Sequence, residues 1–135
     1  MSNKQGGRSM NYFLTGGTGF IGRFLVEKLL ARGGTVYVLV REQSRDKLDQ
    51  LRERWGADEA QVQAVVGDLT SENLGIDAKT LKALKGKIDH FFHLAAVYDM
   101  GADEEAQKAT NIEGTRAALN AAEAMDTKHF NHVSS

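Results

Sequence analysis

Short apolar runs alternate with helically spaced apolar positions along most of this chain, and glycines separate many of them. Met10–Thr15 (MNYFLT) is β-rich and bounded by glycine, which predicts a first strand. Phe20–Ala31 places Phe20, Ile21, Phe24, Leu25 and Leu29 at helical spacing and stops at Gly33 and Gly34, so it reads as a helix. Thr35–Val40 (TVYVLV) is almost continuously apolar, as expected of a parallel strand buried on both faces. Ser44–Trp55 carries Leu48, Leu51 and Trp55 at helical spacing, with Ser44 a candidate N-cap. Gln61–Val66 predicts strand three, Asp77–Leu84 a short helix capped by Asp77, and Ile88–Leu94 (IDHFFHL) strand four. Ala102–Met125 predicts a long alanine-rich helix and Lys128–Val133 strand five. Alternation of strands and helices implies a parallel sheet covered on both faces, with right-handed crossovers. The α/β fold expected is a doubly wound sheet of strand order 3-2-1-4-5.

Length and composition narrow the classes. The chain has 135 residues, which suits one domain, and a formal net charge of −1, which removes the usual electrostatic case for nucleic acid. It holds no cysteine, so disulfides and thiolate metal sites are excluded. No apolar run approaches the ~20 residues of a membrane helix. Residues 1–9 (MSNKQGGRS) have no periodicity and no apolar segment, so they read as a flexible leader or tag, with the domain in 10–135. The lack of a signal peptide makes the cytoplasm the expected location. His90 and His93, like His129 and His132, stand three apart on strands, so each pair points to opposite faces and reads as packing rather than metal ligation.

The chemistry-bearing segment is TGGTGFIG, residues 15–22. Gly17, Gly19 and Gly22 satisfy G-x-G-x-x-G, and Gly16, Gly19 and Gly22 satisfy G-x-x-G-x-x-G. One glycine permits the tight turn, one lets a pyrophosphate approach the backbone, and one lets the helix pack on the sheet. The helix N-terminus then offers free N–H groups and a positive dipole end to the phosphates. The segment's place between a predicted strand and a predicted helix is the context such a motif requires.

Ligand selectors in such folds follow the strands. After strand two the sequence reads VLVREQSR. Arg41 suits the 2′-phosphate of NADP, whereas Glu42 could instead bind the 2′-hydroxyl of NAD. NADP(H) is expected over NAD(H). After strand three, Asp68 in Gly67-Asp68-Leu69 can accept from an adenine amino group or merely cap a turn. After strand four, Leu94, Ala95 and Ala96 are small enough at the last two positions to let a cofactor lie across the strand ends. Asn111 lies on the fourth helix, facing the site or solvent.

Taken together, TGGTGFIG, GDL, HLAA, TNIEGT and the terminal HVSS resemble the extended short-chain dehydrogenase/reductase family over Met10–Ser135. The wording of NYFLTGGTGFIGRFLVEKLL, VLVRE and HLAAVYDMGADEE is most similar to the amino-terminal reductase domain of bacterial long-chain fatty acyl-CoA reductases. The resemblance implies a Rossmann-type fold and a role for each matching residue. Gly16, Gly17, Thr18, Gly19, Phe20, Ile21 and Gly22 would hold the pyrophosphate, and Arg41 the 2′-phosphate. Asp68 and Leu69 would border the adenine. Leu94, Ala95 and Ala96 would line the ribose and nicotinamide side, and Tyr98 would contact the nicotinamide ribose. Asn111 would stand near the active site, and the Ser135 hydroxyl would hydrogen-bond the reacting carbonyl.

The chain departs from the family after Ser135. Its tyrosines are Tyr12, Tyr37 and Tyr98, and none begins the family's Tyr-x-x-x-Lys. The expectation is an NADP-binding fragment, truncated after strand five, of an oxidoreductase that passes hydride to a fatty acyl-CoA or aldehyde carbonyl, and inactive by itself. Strand five would leave an exposed edge open to homodimerisation or domain swapping. Competing readings on the same scaffold are an NAD-dependent nucleotide-sugar epimerase or dehydratase and a non-catalytic dinucleotide sensor.

Overall fold

The computed structural model describes residues 10–17, 19–68, 71–94 and 104–132. Strands β1 (Asn11–Thr15), β2 (Thr35–Val40), β3 (Val62–Val66), β4 (His90–His93) and β5 (His129–His132) form one sheet in the order β3-β2-β1-β4-β5. Every pairing is parallel, with Leu14 opposite Val38 on one side and Phe92 on the other. Helices α1 (Phe20–Ala31), α2 (Arg45–Trp55), α3 (Ala78–Leu84) and α4 (Glu104–Ala124) complete the fold. The doubly wound order expected from the sequence is the one observed.

Alternation along β1 divides the core. Tyr12 and Leu14 pack with Val26 and Leu29 of α1 and Leu48 of α2. Phe13 points the other way, stacking on Phe91 with ring centroids 4.8 Å apart. That second layer contains Leu84 of α3 and Ala117, Ala118, Ala121 and Ala122 of α4. The alanines of α4 leave room for the aromatic side chains of the sheet.

Helix α1 takes the expected bounds; among its described side chains Val26 and Leu29 are buried, as is Gly22, whereas Ile21 and Phe24 are 50% and 56% exposed. The close packing of Gly22 on the preceding turn fixes the helix's rotation and carries those two apolar side chains outward. Ser44 does not cap α2 through its side chain; it ends a 3-10 turn, Glu42–Ser44, that feeds straight into the helix. Strand β4, expected over Ile88–Leu94, also falls slightly inside those limits, at His90–His93. Asp77 does cap α3, accepting from the Thr80 N–H at 2.7 Å. Gly33, with φ +83°, follows α1 as the left-handed residue a helix end favours.

Candidate functional site: the carboxyl ends of the strands

The chain leaves β1 through Gly16, whose φ of +74° is the left-handed conformation that glycine adopts without steric cost. The Gly19 N–H closes this turn on the Gly16 carbonyl at 3.1 Å. A Cβ on Gly22 would strike the Gly16 carbonyl oxygen and come within 2.8 Å of the Gly17 Cα, so only glycine lets α1 begin this close to β1. Gly19 differs: an added Cβ would meet nothing nearer than the Gly16 oxygen at 3.4 Å. It is exposed, so internal packing does not demand a glycine there. Gly19 is also the N-cap of α1, without a capping side chain, and no acid occupies the helix's first turn. The result is a bare backbone ledge beneath a helix N-terminus, the geometry that accepts a pyrophosphate.

Arg41, Asp68 and Leu94 each follow the carboxyl end of a strand. Arg41 follows β2 and is exposed, and no ion pair among the described residues involves it. The Glu42 carboxylate instead meets Arg45 at 3.4 Å. Asp68 follows β3 and is half-buried; its N–H donates to the Leu74 carbonyl at 2.7 Å. Leu94 follows β4, beside the start of the glycine turn. Strands β1 and β4 flank the point where the chain reverses its direction of winding, the usual ligand crevice in open α/β sheets. Phe20 and Ile21 belong to the first turn of α1, and Asn111 lies within α4. Thr18, Leu69, Ala95, Ala96, Tyr98 and Ser135 lie outside the described residues.

Sequence reasoning missed a polar clamp between β1 and β4. The Leu94 N–H donates to the Thr15 hydroxyl oxygen at 3.1 Å, and that oxygen lies 2.7 Å from His93 Nδ1. The hydroxyl donates to Nδ1 when the ring proton is on Nε2 and accepts from Nδ1 when it is not, since its oxygen can accept from both Leu94 and the ring. His93 is fully buried, and Nε2 has no hydrogen-bond partner among the described residues. Burial, then the His132 ring at 5.3 Å, push the His93 imidazole down to about 4, so it is neutral at pH 7. On the opposite face His90 stacks on His129 at 4.8 Å, and burial and that neighbour lower it too. The histidines therefore pack in opposed pairs, and no cluster of three or more metal-ligating side chains occurs among the described residues. A polar residue ending each of two buried strands was the available signal, but nothing in one sequence pairs positions 78 apart.

The family model for male sterility protein, an NAD-binding family, matches residues 14–135. The chain belongs to that family. It is an NAD(P)-binding, reductase-type domain of the extended short-chain dehydrogenase/reductases. Among curated relatives, a linear gramicidin synthase polypeptide of Brevibacillus parabrevis is 36% identical over 132 residues, covering 90% of this chain and 3% of that protein. The fatty acyl-CoA reductase wat of Drosophila melanogaster is 28% identical over 141 residues, covering 90% of this chain and 27% of the relative. Among solved structures, the terminal R domain of the myxalamid PKS-NRPS pathway aligns with a TM-score of 0.77 at 30% identity, covering 97% of this chain and 36% of that domain. The reductase domain of a non-ribosomal peptide synthetase from Mycobacterium tuberculosis aligns at 0.74 with 28% identity, covering 95% and 33% respectively. This family member thus spans only about a third of the solved reductase domains it resembles, and no helix among its described residues is long and apolar enough to cross a membrane.

Proposed function

We propose that this chain binds NADP(H) along the carboxyl ends of its strands and is the cofactor half of a cytoplasmic reductase acting on fatty acyl-CoA or aldehyde carbonyls. The observation that carries the cofactor reading is the end of β2. Arg41 stands exposed there, while the acid that could have selected NAD, Glu42, is turned to Arg45. Arginine's planar fork matches a 2′-phosphate in a way that a carboxylate cannot. The substrate reading rests on the relatives: one is named as a fatty acyl-CoA reductase, and the aligned domains are reductases of synthetases.

Bound NADPH would supply the hydride. The chain's own part is to bind and orient. The Gly16–Gly22 ledge would take the pyrophosphate, with Thr18 beside it and the backbone of Phe20 and Ile21 adding N–H groups. Asp68 and Leu69 would border the adenine. Leu94, Ala95, Ala96 and Tyr98 would line the ribose and nicotinamide, with Asn111 nearby, and the Ser135 hydroxyl would donate to the reacting carbonyl oxygen. The 135 residues contain no Tyr-x-x-x-Lys, so the chain alone lacks a proton donor of the family type and is expected not to turn over.

Thermal unfolding with NADPH, with NADH and without ligand tests the cofactor reading. A ligand bound only by the folded state at a hundredfold excess over Kd stabilises by about 2.7 kcal/mol. A larger rise in Tm with NADPH than with NADH, equalised in Arg41→Ala, is expected. Equal rises in the unmodified chain would contradict the role of Arg41, and no rise with either would contradict the site.

A further inference from the structure

After β3 the chain makes a turn of unusual hand. Asn73 (φ 50°, ψ 33°), Leu74 (φ 60°, ψ 22°) and Gly75 (φ 63°) are consecutive left-handed residues. Glycine and asparagine tolerate that conformation, but leucine does not do so readily. Something must hold Leu74 in it. Its side chain is fully buried, in the core layer that contains Ala117, Ala118 and Ala121 of α4. Its carbonyl, turned back by the left-handed hand, accepts from the Asp68 N–H at 2.7 Å. The Asp68 carbonyl in turn accepts from Ser71, and the Ser71 carbonyl from Leu74. Gly67 makes the approach possible, because a Cβ there would strike the Leu74 carbonyl oxygen and lie 2.5 Å from Leu39 Cδ1.

These contacts form one device: a core anchor, a strained turn and a backbone hydrogen bond ending on Asp68. Strain of this kind persists only where the surroundings over-determine it, and it concentrates at ligand-binding positions. We propose that the left-handed turn Asn73–Gly75 is a positioning element that fixes Asp68 at the adenine end of the dinucleotide site, with Leu74 as its anchor. This rests on the reading of Asp68 as the acceptor of the adenine amino group. The turn touches no ligand itself. It removes the freedom of the Asp68 backbone before binding, so less ordering is needed when the adenine arrives.

The experiment compares affinities for NADPH and for its hypoxanthine analogue, in which an oxo group replaces the adenine amino group. The readout is their ratio in the unmodified chain, in Asn73→Gly and in Asn73→Val. Glycine keeps the left-handed conformation, whereas β-branched valine opposes it. The unmodified chain should prefer NADPH by about tenfold, the scale of one hydrogen bond to a charged acceptor. Asn73→Gly should keep that preference. Asn73→Val should lose it while still binding the analogue as the unmodified chain does, which also certifies that the variant is folded. A preference retained in Asn73→Val would overturn the positioning role and leave Asp68 in place. No preference in the unmodified chain would overturn the Asp68 reading, and the positioning role with it. Should Asn73→Val fail to fold, the same ratio is read in Gly67→Ala, which pushes against the Leu74 carbonyl from the other side. A retained preference there would overturn the role equally.

Discussion

Acid should destabilise this domain chiefly through one buried imidazole. His93 is fully buried and its pKa is pushed down to about 4, against an ordinary value of 6.5. Above pH 6.5 the ring is neutral whether the chain is folded or not, so it adds no pH dependence. Between 6.5 and about 4 the unfolded chain binds the proton and the folded chain refuses it, so stability falls as pH falls. Below about 4 both states are protonated and the effect is flat. At 1.36 kcal/mol per pH unit the whole interval is worth about 3 kcal/mol, a large part of the roughly 5–15 kcal/mol that holds a domain together. His90, also lowered, adds in the same direction. The assay is urea unfolding followed by the fluorescence of the single tryptophan, Trp55, at intervals between pH 7.5 and 4. His93→Phe provides the control. It forfeits the Thr15 hydrogen bond at about 1 kcal/mol, a cost that does not vary with pH. The two stability curves should therefore converge on acidification as the unmodified chain weakens more steeply. Parallel curves across the interval, or a His93 imidazole titrating near 6.5 by NMR, would refute the argument.

Other consequences follow from the geometry. Gly22→Ala should cost about 1–3 kcal/mol by overpacking and abolish the NADPH-dependent rise in Tm; an unchanged rise would mean that the turn tolerates displacement. Asp77→Ala should lower Tm and Asp77→Asn should largely restore it, since either Asp or Asn can accept from the Thr80 N–H. The Thr80 hydrogen bonds hold the Asp77 carboxyl below its usual value, so the charge-dependent share of the cap's contribution is present at neutral pH and lost as the carboxyl protonates in acid. Strand β5 is an edge of the sheet among the described residues, and the chain is expected to associate through it. Light scattering that returns a monomer mass at every concentration would count against that association.

The sheet order was legible because each strand is a short apolar run and each helix shows its own spacing. The glycine loop was legible because Gly16 and Gly22 are imposed by backbone geometry, and such constraints leave a mark on sequence. The rotation of α1 was not legible. Ile21 and Phe24 fit a helical stripe as well as Val26 and Leu29 do, and only the contact between Gly22 and Gly16 decides between them. The Thr15–His93 clamp was hidden for another reason: it joins two strands through register, which emerges only when the sheet assembles. The left-handed turn at Leu74 ran against propensity altogether. Leucine there signals a helix or a strand, and tertiary anchoring overrides it.

The central claim is that a dinucleotide lies across the carboxyl ends of β1, β2, β3 and β4. Hydrogen exchange of the backbone amides, read by mass spectrometry with and without NADPH, tests it most directly. The account predicts slowed exchange in the segments around Gly16–Gly22, Arg41, Gly67–Asp68 and Leu94, with the opposite ends of the strands near Met10, Gly34 and Gln61 unaffected. Protection confined to those opposite ends, or to the groove between α1 and α2 at Phe24 and Trp55, would contradict it.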